Sequence, residues 1–277
     1  MMLGSRASLP EYLTHLQAGG RITFTKGEGL AATRLSDAAF LKGAARLQRK
    51  HMLFNPRHGF YVVVPPQFLS WEAPPPSWYI DDLMRHEERP YYVGLLKAAE
   101  LHGATHHAVM EFQVVTDKQL PKIRAGRSRI VFYYRKEIEP VLFAVERRKT
   151  DTGHMAVSSV ELTCLDLIRY VHAAGGIDAV ATVLADLGDK ADGTRLAALA
   201  AHFERANVQR LGYLLDHLEH SAVAEPLYHQ LFAQSAVSWV KLDPARLKGM
   251  IAPTDGQPAE RNTRWRVVAQ HLPEIDV

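Results

Sequence analysis

The sequence predicts an α+β protein: an N-terminal winged helix-turn-helix followed by a larger mixed α/β domain with a helix-rich middle. Three observations lead there. The first 64 residues read as three short capped helices and then a hairpin. Five prolines between residues 65 and 78 interrupt any regular element. The text beyond them alternates strand-like runs with amphipathic helical stretches. The boundaries that follow are 1–64, a Pro-rich linker at 65–78, and a C-terminal domain at 79–277. A chain of 277 residues is long enough for this arrangement and too long for one ordinary core.

Each element has a local cause. Ser8 caps a helix with Pro10 in its first turn, and Gly19-Gly20 stops it near Gln17. Arg21 to Phe24 is extended. Thr25 caps a short helix from Lys26 to Ala32, and Ser36 caps a third that ends near Lys50. Two apolar runs then flank Asn55-Pro56-Arg57-His58-Gly59, the turn of a hairpin. The linker prolines hold the chain extended, while Phe68, Trp71 and Trp78 favour packing on a domain surface.

Further on, YYVGLLKAAELHG has a helical pattern, and MEFQVVT and IVFYYR read as strands. VLFAVERRK and HMAV read as strands joined at Thr150–Gly153. Ser158-x-x-Glu161 reads as a capping box opening a helix to about Tyr170. Helices are expected at 178–187, 194–205, 207–218 and 224–234. Short strands follow, in VSWVKL and WRVVAQ. Cys164, the single cysteine, sits in the apolar run VELTCLDLI and reads as a buried small residue. The missing disulfides, the absence of a long apolar span and an N-terminus without a signal-peptide core point to a cytoplasmic protein, not a membrane one.

Charge is unevenly distributed. Residues 1–64 hold nine Lys/Arg against three Asp/Glu, a net of +6, while the remainder nets −3. A basic first quarter suits a polyanion. On the third helix, Phe40, Ala44 and Leu47 share one face, with His51 following. Lys42, Arg46 and Arg49 share the opposite face, with Ala38 and Ala45 between them and Lys50 at the margin. A small cationic face of this kind suits the major groove of double-stranded DNA. Arg34 and Ser36 at the helix start suit the phosphate backbone, and Arg57 and His58 at the hairpin tip suit a wing contact.

Residues 1–64 also resemble the winged-helix domain of the AbiEi family. The family comprises antitoxin and regulator components of type IV (AbiE) abortive-infection toxin–antitoxin systems. The segments at 91–116, 157–187 (VSSVELTCLDLIRYVHAAGGIDAVATVLADL) and 207–218 (NVQRLGYLLDHL) resemble the antitoxin's C-terminal domain in text and order. The resemblance implies a repressor that binds inverted repeats in its own promoter. It also implies a C-terminal domain that counters a nucleotidyltransferase-like toxin, without a stable complex. No neutralisation residues transfer, and neither a cofactor nor an enzymatic activity is implied.

Other readings rest on weaker signals. His102 and His106 stand at the i, i+4 spacing of a zinc pair, beside His107, but without the Glu of H-E-x-x-H, so no metal site is assigned. Arg124, Arg127, Arg129, Arg135, Lys136, Arg147, Arg148 and Lys149 form a second basic set, suited to nucleic acid or to guarding strand edges. Glu137, Glu139, Glu146 and Asp151, with Glu146-x-x-Lys149, are the only text toward a metal-dependent nuclease. A protein-interaction module is the third alternative. No phosphate-loop or nucleophile motif occurs, so no catalytic residue is assigned.

Overall fold

Side-chain caps start each of the first three helices. α1 (Leu9–Ala18) begins at Ser8, whose hydroxyl accepts from the Glu11 N–H while the Glu11 carboxylate accepts from the Ser8 N–H. β1 (Thr23–Thr25) leads directly into α2 (Lys26–Thr33), closed by the same reciprocal pair between Thr25 and Glu28. α2 ends at Arg34, whose φ of 54° turns the chain toward α3 (Asp37–Gln48). The computed structural model describes residues 8–105, 109–233, 237–243 and 260–273.

β2 (Leu53–Arg57) and β3 (Phe60–Val63) form an antiparallel hairpin, and β1 pairs with the other edge of β3. The resulting sheet has the order β1–β3–β2. Phe24, Phe40 and Tyr61 are the centre of the core beneath it. Phe24 stacks on Tyr61 at 5.3 Å and Phe40 meets Tyr61 edge-on at 5.6 Å. Gly29 lets α2 lie close to α3, since a Cβ there would stand 2.6 Å from the Phe40 ring.

In chain order there follow α4 (Ile80–His86), β4 (Tyr91–Val93), α5 (Leu95–Leu101), β5 (Glu111–Thr116), β6 (Ile123–Ala125), β7 (Ser128–Tyr134), β8 (Val145–Thr150) and β9 (Gly153–Ser158). Helices then dominate: α6 (Val160–Arg169), α7 (Ile177–Gly188), α8 (Gly193–Ala200), α9 (Arg205–His217) and α10 (Ser221–Phe232). The last described elements are β10 (Val240–Lys241), β11 (Glu260–Asn262) and β12 (Val267–Ala269). The protein is thus α+β, with helices and several sheets.

The chain forms two compact units, each drawn from separate stretches. Unit 1 takes Met1–Tyr91, Met110–Lys136 and Arg147–Ala156. Unit 2 takes Tyr92–Val109, Glu137–Glu146 and Val157–Val277. In unit 1, β5 and β7 run parallel in register from Glu111↔Arg129 to Thr116↔Tyr134, and β6 returns antiparallel on β7. The β6–β7 tip needs Gly126. Its φ is +57°, and a Cβ there would meet the Trp71 carbonyl oxygen at 1.7 Å. Unit 2 is built on α6, where every residue from Glu161 to Ile168 is buried. Its polar members are bonded: the Asp166 carboxylate accepts from the Tyr92 hydroxyl at 2.6 Å, and Ser158 and Thr163 share a 2.7 Å bond.

Several local expectations need correction. Tyr91–Val93 is a strand rather than the start of a helix, because its three side chains are all buried, as a central strand requires. Val141–Ala144 belongs to a 3₁₀ turn after Pro140 rather than to a strand. The cap of α6 is Ser159, whose hydroxyl accepts from the Leu162 N–H, while Ser158 closes β9. Helix α8 ends at Ala200, four residues past which Glu204 opens α9. The Pro-rich segment is not extended throughout but makes 3₁₀ turns at Pro66–Trp71 and Pro76–Trp78. Phe68, Trp71 and Trp78 do pack together there, with ring centres 5.1–5.4 Å apart.

Candidate nucleic-acid interface

Helix α3 separates its two faces as its spacing dictates. Phe40, Ala44 and Leu47 are buried, while Ala38, Lys42, Ala45, Arg46 and Arg49 are exposed. Ser36 caps the helix: its hydroxyl accepts from the Ala39 N–H. Lys26 pairs with Asp37 at 2.6 Å and ties the starts of α2 and α3 together. No described carboxylate pairs with Lys42 or Arg46. Arg49 caps the helix end and its Nε leans on the Ala45 carbonyl at 3.4 Å. Lys50 is exposed just beyond. His51 does not continue the buried face: its φ is 55°, and its exposed ring stands 3.7 Å from Glu72.

Arg34 is exposed at the left-handed residue between α2 and α3. Arg57 is held within unit 1. Its Nε donates to Glu87 at 3.0 Å, its Nη2 donates to the Pro121 carbonyl, and its guanidinium lies 5.5 Å from the centre of the Phe132 ring. Only 16% of the side chain is exposed. His58 is exposed, and its carbonyl is bonded by the His86 ring at 3.1 Å. Nothing in residues 1–64 signals these partners, which come from 87, 121 and 132.

The second basic set divides. Arg124, Arg147 and Lys149 are exposed; Arg129 pairs with Glu111 at 3.3 Å and Arg127 covers the Trp71 ring at 5.2 Å. Arg135 is buried. All these residues belong to unit 1, which brings the charge contrast above that of the linear sequence. Unit 1 holds 21 Lys/Arg and 11 Asp/Glu, a net of +10, and unit 2 holds 12 and 19, a net of −7.

A cleft of about 470 Å³ in unit 1 runs beside β1, with Phe24 and Phe60 beneath it. Its charged walls are already paired, Arg21 with Glu28 at 2.9 Å and Arg85 with Asp82 at 2.7 Å. Among the described residues no group of three or more His, Cys, Asp or Glu side chains could hold a metal ion. His102 bonds the Ser158 carbonyl at 2.7 Å, and His106 and His107 lie outside the described residues. Glu146 and Lys149, three apart on β8, project to opposite faces. No described helix is long and apolar enough to cross a membrane.

The fold is similar to that in the crystal structure of the Rv2827c protein from Mycobacterium tuberculosis. The TM-score is 0.66 at 15% identity, over 93% of this chain and 89% of the other. No curated protein matches the sequence. Residues 92–217 match the AbiEi antitoxin C-terminal domain, a span that runs from β4 to the end of α9 and takes in the buried helix α6. Through that span the chain is similar to the AbiEi antitoxins.

Proposed function

We propose that this protein is an antitoxin and a DNA-binding autorepressor, with residues 1–64 forming a winged helix-turn-helix. In this reading residues 65–78 connect that module to the antitoxin part at 79–277. The observation that carries it is α3: a capped helix with a buried apolar face and an exposed face of two alanines and three basic residues, followed by a β-hairpin. The alanines permit close approach to base edges. Lys42 and Lys50 neutralise phosphates, and Arg46 and Arg49 read guanine. Arg34 and the Ser36 end of α3 meet the backbone from one side and His58 from the wing, while the Arg57 guanidinium stays with Glu87 and Phe132 and supports the wing from within. The C-terminal domain counters a nucleotidyltransferase-like toxin in the cytoplasm, with no stable complex and no catalysis by this chain.

The test is fluorescence anisotropy on the upstream promoter duplex and a scrambled duplex across a salt series. Selective binding should weaken steeply with salt, by a logarithmic slope of about −0.9 per phosphate neutralised. Replacing Arg46 by Ala should cost about 1–3 kcal/mol on the promoter and less on the scrambled duplex. Equal losses on both would make Arg46 a phosphate contact. No promoter preference in the unmodified protein would end the repressor reading.

A further inference from the structure

Unit 2 contains a small pocket, of about 100 Å³, lined by Phe143, Ala144, Glu146, Ser159, Glu161, Arg195 and Leu199. Three features set it apart from ordinary surface. Its rim carries Phe143, 66% exposed, met edge-on at 6.3 Å by His202. An exposed aromatic ring at the mouth of a pocket offers its face to a cation. Its floor carries Glu161, which is buried and fixed: one carboxylate oxygen accepts from the Asp192 N–H at 3.0 Å and the other from the Ser159 hydroxyl at 2.8 Å. Its open side carries Glu146, exposed and without a described partner. Arg195 supplies the single opposing charge.

The volume admits one side chain. Two carboxylates against one guanidinium make the pocket net negative, within a unit that nets −7. A planar cation with an apolar stem meets every wall at once. The stem lies along Ala144 and Leu199, the guanidinium covers the Phe143 ring, and its N–H groups reach the free lone pairs of Glu146 and Glu161. We infer that this pocket is a docking site for an arginine side chain on the basic surface of a partner protein. Charge complementarity selects that occupant: an acidic partner would be repelled by the unit as a whole, and a neutral apolar one would leave both carboxylates to be desolvated without compensation. The inference is independent of DNA binding, since the pocket and α3 belong to different units.

The experiment uses the full-length chain and acetylated tri-arginine amide as probe, read by ¹H–¹⁵N chemical-shift mapping at low salt. Tri-lysine amide and the variants Phe143→Ala and Glu146→Gln run alongside. Both substituted side chains are exposed, so the variants keep the fold, and their unperturbed spectra verify it. The expected result is a saturable shift confined to 143–146, 159–161 and 195–199. Affinity should fall at least fivefold in each variant and be weaker for tri-lysine, which lacks the planar stack. Shifts spread over the acidic surface, equal affinity in the variants, or no saturable binding would overturn the proposal. So would concentration-dependent self-association that Phe143→Ala abolishes, because the occupant would then be a second copy of the chain.

Discussion

At Arg34 the backbone and the side chain have separate requirements. The left-handed turn between α2 and α3 is unfavourable for any residue with a Cβ, by roughly 1 kcal/mol. Arginine is retained there with its charge exposed. Arg34→Gly should therefore raise the urea midpoint, by about 1 kcal/mol of stability, while weakening operator and random DNA by the same factor. A variant that is both less stable and unchanged on DNA would show the position to be structural only. Arg57 is the opposite case. Lys42 and Arg46 on α3 pair with no described carboxylate, but the Arg57 guanidinium is shared among Glu87, the Pro121 carbonyl and Phe132. Arg57→Ala should cost about 1–3 kcal/mol of stability, from the unpaired Glu87 and the lost packing, with little change in the salt slope of DNA binding. Urea unfolding and the anisotropy series separate the two effects. From the sequence Arg34 and Arg57 look alike, as basic residues beside turns. They differ because Arg57 meets residues 30 to 75 positions later in the chain.

Elements were legible where a cap and a period coincide. α1, α2 and α3 each have a hydroxyl residue at the N-cap, and their starts were placed from the sequence to the residue. The strand at Tyr91–Val93 was not, because three buried side chains in a row followed at once by a helix have no period of their own. Likewise Ser158 and Ser159 are equivalent as text. Only the end of β9 decides that Ser159 turns out of the strand to cap α6. The approach of α2 to α3 makes an element-scale prediction. Gly29→Ala places a methyl 2.6 Å from the Phe40 ring, which must move and carry α3 with it. The expected cost is about 1–3 kcal/mol in unfolding, together with weaker promoter binding although no basic residue is touched. Unchanged stability would mean that Phe40 has room to turn aside.

At the scale of the whole molecule, burial couples stability to alkaline pH. Burial pushes the Cys164 thiol and the Tyr79 and Tyr91 hydroxyls well above their ordinary values. The folded state keeps these groups neutral, whereas an unfolded thiol ionises near about 8.5 and an unfolded tyrosine near about 10. With the folded values raised, the stabilisation is complete below the unfolded values and is lost as pH rises past them. Urea midpoints should therefore be flat from pH 7 to 8 and fall from pH 9 to 10.5. Cys164 should resist iodoacetamide at pH 8 until the chain unfolds. Rapid alkylation of the folded protein would contradict its burial.

The sequence by itself determined the class of the protein: its caps, the two-faced third helix, the family-like text at 91–116, 157–187 and 207–218 and the excess of basic residues near the start. All of these are local, written within one turn of helix or one stretch of chain. Tertiary structure decided what is shared between distant stretches. It drew residues 110–136 and 147–156 into the unit that holds α3, so that a modest contrast of +6 and −3 along the chain became +10 and −7 between units. It also enclosed Glu161 beneath Phe143 and turned Arg57 inward. The physical reason is the same each time. Burial and pairing are settled by which strands and helices meet, and a strand's neighbours are not encoded in its own residues.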